Sequence, residues 1–260
     1  MEDHRRQHGF SLTETLLAVG TLAVGMLFIG GTFMTGIYFT SLSTERTIGS
    51  VAADEAFAKI RLYADPNMKG LSTAKFVPYE QIRAVPASEY LYPSTGETSA
   101  GQYSWAAICR QMGAGSRLVQ FTVFVCRESG ADSKYWVRKT GAAAPALASS
   151  DLPRPVRVTV TQDAASIAKD EVTIVDAVAA DGIDERAFIN DGASLVDDAT
   201  GQIYRVLTRS ADQPDKLKLD RPWTGGTITP PTGAGVWAVP PPTSGGRDPL
   251  VAIYQKTLRF

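Results

Sequence analysis

Hydrophobic and polar positions divide this chain into two regimes. From Thr15 to Thr44 no charged residue occurs, and the composition is apolar on every face of a helix. That run of 30 residues exceeds the about 20 a helix needs to cross a bilayer. Five glycines interrupt it (Gly20, Gly25, Gly30, Gly31, Gly36), but no proline occurs before Pro66. Glycines are tolerated in membrane helices and let helices approach closely. Beyond Thr44 the pattern becomes amphipathic. Ala53, Ala56, Phe57, Ile60 and Ala64 share one face, while Glu45, Asp54, Glu55 and Lys59 carry the polar remainder. Asp65-Pro66-Asn67 is a stop signal. The pattern predicts one helix from about Ser11 to Ala64, roughly 80 Å long at 1.5 Å per residue. Its first half suits lipid or other helices, and its second half suits packing on a globular domain.

The remainder reads as β-structure. Residues 67–100 are turn-rich and predict a connection. Tyr103–Cys109, Leu118–Cys126 and Lys134–Lys139 predict an antiparallel meander, with turns at Gly113–Ser116 and Ser129–Asp132. Residues 141–155 are small and proline-containing, a loop or linker. Arg157–Thr161 is a further strand. Short strands then follow at 172–175, 187–189, 194–196, 203–207 and 216–219, separated by Asp-Gly, Thr-Gly and Gln-Pro turns. The prolines 240–242 and Gly245-Gly246 precede a last strand, Val251–Phe260, a candidate for return to the meander.

Glu14 is the one ionisable group near the start of the apolar run. A carboxylate there costs about 3 kcal/mol even on lenient insertion scales. No Lys or Arg lies between Arg6 and Arg46, so no cation is within a helical turn. A free α-amino group created nearby would meet the need. Gly9-Phe10-Ser11-Leu12-Thr13-Glu14, after a short leader with Arg5 and Arg6, resembles the class III signal of type IV pilins and type II secretion pseudopilins. The resemblance covers about residues 5–64. It implies cleavage between Gly9 and Phe10 by a prepilin peptidase, methylation of the new N-terminal Phe10, and Glu14 as the fifth mature residue. In that family this glutamate pairs with the N-terminal amine of a neighbouring subunit during filament assembly. Ala18–Leu27 is similar to the run of the minor subgroup that acts near the filament tip. The leader departs from the pattern in carrying Glu2 and Asp3, and Thr15 stands where an aliphatic residue is usual. A plain signal anchor, with Glu14 snorkelling to the interface, is the alternative, and a cleaved signal peptide ending at an Ala-Val-Gly is a third.

The resemblance implies an α+β fold with a leader at 1–9, an assembly helix at 10–64 and a β-sheet head at 65–164. The strand and turn signals beyond it, which the resemblance does not require, add an inserted β-rich module at 165–240 and a C-terminal strand at 241–260. It implies other pilin or pseudopilin subunits, prepilin peptidase and an inner-membrane assembly platform as partners. Arg5 and Arg6 place the N-terminus in the cytoplasm and the later domain outside a bacterial inner membrane.

Composition narrows the chemistry. The 260 residues allow one large domain or two small ones, and a net charge of −1 gives no broad field for nucleic acid. His4 and His8 are the only histidines and leave with the leader. His-based triads and His-bearing metal sites are then excluded, and the reading is not an enzyme and needs no cofactor. Calcium is the one metal with candidates. Asp191, Asp197 and Asp198 belong to an acidic stretch with Asp181, Asp184 and Glu185, without EF-hand spacing; a solvated, turn-rich edge is the alternative. Cys109 and Cys126 form a disulfide outside the cytoplasm or stay as buried thiols; a hairpin turning at 113–116 puts Cys109 opposite Gln120. Tyr135-Trp136, Trp223 and Trp237 suit a core or a sugar- or partner-binding surface.

Overall fold

The computed structural model describes residues 11–64, 70–94, 103–130, 132–138, 147–162, 169–176, 183–225, 228 and 233–260. The chain is α+β, with one long N-terminal helix and antiparallel strands in sheets that include a closed barrel. It divides into two units, Met1–Thr47 and Ile48–Phe260.

Helix α1 spans Leu12–Tyr63. In its last turns Ala52, Ala53, Ala56, Phe57 and Ile60 are buried, a stripe at the 3.6-residue period. Small alanines bring the helix close to the sheet it covers. Its terminal carbonyls find donors: Tyr79 Oη at 3.4 Å from the Ile60 oxygen and Arg83 Nε at 2.8 Å from that of Tyr63. Lys59 does not lie on a solvated polar face. It is buried, with Nζ 2.9 Å from Glu55, 3.2 Å from the Glu89 carboxylate and 2.7 Å from the Glu89 carbonyl oxygen.

Short β1 (Val77–Pro78), α2 (Tyr79–Ile82) and β2 (Leu91–Tyr92) lead into β3 (Tyr103–Gln111) and β4 (Leu118–Arg127). β3 and β4 form a long hairpin in which Cys109 faces Phe121 and Arg110 faces Gln120. β5 (Tyr135–Arg138) does not continue this meander. It pairs with β6 (Leu147–Ser150), a strand inside the stretch read as a loop. The outer neighbour of β4 is β13 (Leu250–Arg259), which matches β4 in length where β5 has four residues.

β7 (Val156–Thr161) leaves the head as well. It joins β8 (Glu171–Val175), β9 (Ser194–Asp197), β10 (Ile203–Arg209), β11 (Lys216–Leu219) and β12 (Ala234–Ala238) in a closed barrel of order β10-β11-β8-β7-β12-β9. β7, inside the stretch assigned to the head, is thus a barrel strand. Val156, Val158 and Val160 alternate with Arg157 and Thr159, so β7 carries one apolar face that only the barrel interior buries. Residues 187–189 are not a strand: Glu185–Phe188 is a 3-10 turn capped by Asp184, whose side chain accepts the Arg186 N–H.

Three apolar clusters result. One lies between the helix stripe and the Phe121, Val123 and Val125 face of the sheet. A second fills the barrel. The third joins the opposite sheet face (Ile108, Phe124, Cys126) to Val196, Trp237 and Val239 on the barrel.

Candidate functional site: the start of the N-terminal helix

Glu14 sits in the first turn of α1. Ser11 precedes the helix and accepts the Glu14 N–H on Oγ at 3.3 Å. Ser11-Leu12-Thr13-Glu14 is thus a capping-box sequence, S-x-x-E, and an acidic side chain at its fourth position meets the positive end of the helix dipole. That signature is readable in the chain and gives Glu14 a local role beside the charge's long-range one. The Glu14 carboxylate has no hydrogen bond or ion pair among the described residues. Gly9 and Phe10 lie outside the described residues.

Downstream of Glu14 the helix surface is apolar and exposed: Leu16, Leu17, Leu22, Leu27, Phe28, Phe33, Met34 and Ile37. Its threonines are neutralised locally. Thr15, Thr21 and Thr32 donate to the carbonyl three residues back, and Thr35, Thr40 and Thr44 to the one four back, at 2.8 to 2.9 Å. Hydroxyls bonded this way cost little in hydrocarbon. The segment is long and apolar enough to cross a membrane, and Glu14 is its one charged side chain before Glu45.

The two thiols are not a pair. Cys109 belongs to the helix-facing side of the sheet and Cys126 to the barrel-facing side, and both are free and buried. In the observed register Cys109 faces Phe121 and Cys126 faces Ser104, and strand alternation along β4 puts Phe121 and Cys126 on opposite faces. Burial pushes the Cys109 thiol up to about 12 and raises that of Cys126, with the nearby Asp248 charge adding to the effect.

The aspartates do not converge either. Asp191 lies in the turn before β9 and accepts the Arg209 N–H at 2.6 Å. Asp197 accepts the backbone N–H of Thr200 at 2.8 Å and its hydroxyl at 2.5 Å. Asp198, buried, is a junction group. Its Oδ1 accepts the Phe76 N–H at 2.9 Å and the Trp237 indole N–H at 2.8 Å, and its Oδ2 faces Arg157 Nε at 2.8 Å. Three donors of its own chain thus share this carboxylate. Asp181 lies outside the described residues. Among the described residues no group of three or more His, Cys, Asp or Glu is placed to hold a metal.

Comparison with protein-family models, with curated proteins and with solved structures finds no match to this chain. The class the geometry defines is an α+β protein whose single long N-terminal helix is apolar enough to span a membrane.

Proposed function

We propose that the chain is a minor pilin- or pseudopilin-like subunit, processed by a prepilin peptidase after Gly9 and assembled through its N-terminal helix into a type IV pilus or type II secretion pseudopilus, at or near the tip. The observation that carries this reading is Glu14: one carboxylate, without a partner in its own chain among the described residues, at the head of an exposed apolar helix. A group of that kind is neutralised at least cost by a cation from a neighbouring subunit. The order of leader, Gly9, Phe10, Glu14 and proline-free helix supports it. So does the burial of one stripe of the same helix on an antiparallel sheet. The partners are other subunits of the filament, the peptidase and the inner-membrane platform. No catalytic role is assigned.

The capping box favours a second reading, a single-pass anchor for an extracytoplasmic β-domain, in which Glu14 serves only its own helix. Two substitutions separate them. Ser11→Ala removes the cap acceptor and keeps the carboxylate; Glu14→Ala removes the carboxylate. A docking charge predicts that Glu14→Ala abolishes filament incorporation without affecting membrane insertion, while Ser11→Ala assembles. Equal behaviour of the two variants rejects the docking charge. Intact mass with and without a prepilin peptidase tests the processing step: loss of residues 1–9 and gain of one methyl group on Phe10 is expected.

A further inference from the structure

A groove of about 450 Å3 runs between β5, the Glu185–Phe188 turn and the proline loop at 240–246. Its size falls in the range of small-molecule sites, about 300–1,000 Å3. We propose that this groove binds a neutral saccharide, an activity beyond the filament role and independent of it.

The walls are fixed in advance. Tyr135 forms a β-bridge with Pro242, and the Thr243 N–H donates to the Lys134 carbonyl at 2.7 Å, which ties the proline loop to β5. Opposite, Glu185 is wholly buried and pairs with Arg138 of β5. Both walls are thus anchored to one ribbon, and a ligand has little to order on arrival.

The lining combines aromatic surface with unclaimed polar groups. Trp136 is half-buried and Phe188 buried, both packed with the barrel core. The apolar C–H face of a pyranose ring packs on such surface, and its hydroxyls need donors and acceptors around the edge. Four groups remain for them. Among the described residues the Trp136 indole N–H, the Asn190 amide and the Thr243 hydroxyl make no hydrogen bond. The fourth is Asp184 Oδ2, because both contacts from Arg186 fall on Oδ1, at 2.9 and 2.7 Å. The Arg186 side-chain bond holds the Asp184 carboxyl below the usual range, so it is an ionised acceptor at neutral pH.

Charge selects against the other ligands. Among the described residues no Lys or Arg lines the groove, and one carboxylate does, which disfavours phosphate, sulfate or uronate. An extended peptide needs a free strand edge, whereas here one wall is a 3-10 turn and the other carries Pro241 and Pro242, which have no N–H to offer.

The test uses the full chain in a detergent without a sugar headgroup, labelled with 15N at tryptophan. Cellohexaose, maltohexaose and chitohexaose are each titrated to about 10 mM, and the Trp136 indole resonance is assigned from Trp136→Phe. At least one saccharide is expected to shift it saturably, with Kd at or below about 1 mM. Trp136 supports the barrel core, so Asn190→Ala, at an exposed side chain without a partner, serves as the binding variant. It is expected to raise Kd about tenfold, the effect of roughly one hydrogen bond to a ligand hydroxyl. The proposal fails if none of the three sugars shifts Trp136, if a sulfated hexasaccharide or a proline-rich peptide binds as well as the sugars, or if Asn190→Ala leaves Kd unchanged.

Discussion

Asp198→Ala isolates the group that joins the sheet to the barrel. In the native chain its carboxylate accepts from the Phe76 amide at 2.9 Å and the Trp237 indole at 2.8 Å, and it faces Arg157 at 2.8 Å. The first two donors belong to buried residues; removal of the side-chain acceptor strands the Trp237 indole, while the Phe76 N–H keeps the Asp198 main-chain carbonyl at 3.3 Å. Charge-assisted bonds are worth about 1.5–3 kcal/mol each. The Arg157 side chain is 45% exposed, so solvent screening leaves that ion pair about 1 kcal/mol or less. With the Phe76 bond counted at the low end of that range, because its N–H keeps a second acceptor, the sum is about 4 kcal/mol. For a unit of this size each kcal/mol lowers Tm by about 2–4 °C, so the expected loss is about 8–16 °C. Asp198→Asn keeps an acceptor for the two N–H groups and gives up only the charge, so it should cost about 2 kcal/mol. Scanning calorimetry of the intact chain measures both. Near-UV circular dichroism follows Trp237, which should lose its fixed environment in the alanine variant. A fall of less than about 3 °C for Asp198→Ala would refute the view that this carboxylate holds the junction. Equal damage from both variants would put the weight on charge rather than on hydrogen-bond acceptance.

Three further outcomes follow from packing and protonation. The intact mass should be the same with and without reductant, and Cys109 should resist alkylation at pH 8 until denaturant is added; rapid modification of the native chain would contradict its burial. Because the folded Cys109 pKa is raised from 9.0 to about 12, only the unfolded chain ionises this thiol between those values, so its contribution to stability is complete below pH 9 and lost as pH rises toward 12. At Glu55 burial opposes ionisation, but the bonds and charge of Lys59, with a smaller contribution from Ser94, outweigh it and lower the carboxyl below 4.5. Its stabilisation is therefore present above pH 4.5 and lost as pH falls below that; Lys59→Met should abolish that part of the acid dependence and cost about 2 kcal/mol, read from urea unfolding at pH 7 and pH 4. A Cβ at Gly49 would lie 3.3 Å from Val251 Cγ1 and 3.5 Å from Tyr254 Oη. Gly49→Ile should then destabilise by about 1–3 kcal/mol through overpacking, while in Gly49→Ala the helix-propensity gain of about 1 kcal/mol offsets the crowding, as thermal melts would show.

What could be read along the chain follows from the range of the interaction. The helix is a local pattern, and both its apolar half and its stripe of Ala53, Ala56, Phe57 and Ile60 are visible as periodicity. β3 and β4 are adjacent, and their hairpin differs from the expected register by one residue, with Cys109 opposite Phe121 rather than Gln120. The failures of strand partnership are non-local. β5 follows β4 in the chain, so sequence proximity suggested a third meander strand; the true neighbour, β13, comes from the far end. Nothing near Val156–Thr161 indicates that its partners are β8 and β12. Asp198 stands in an acidic stretch with the composition of a solvated edge, and only barrel closure turns it inward against Phe76 and Trp237. The S-x-x-E cap at Ser11–Glu14 is the opposite case, a signal carried by four consecutive residues.

The topology explains how a barrel can be carried without breaking the sheet, and why it is not a free attachment. β4 and β13 are hydrogen-bonded neighbours, so the chain leaves the sheet after Arg127 and returns beside the point of departure at Leu250. The Arg127 N–H donates to the Pro249 carbonyl at 2.7 Å and closes the neck of that excursion. With the neck closed, added length costs only a slowly growing loop-closure entropy, and the helix-facing layer keeps its strand order whatever the excursion contains. The other face of the sheet is different. Ile108, Phe124 and Cys126 are covered by Val196, Trp237 and Val239, and Arg110 reaches the turn after β9 through the carbonyls of Ala199 and Thr200. Without the barrel that face would present an apolar patch to solvent. The excursion is thus separable in topology and inseparable in energy: the sheet hydrogen-bonds without it, but its second face is dry only because the barrel is there.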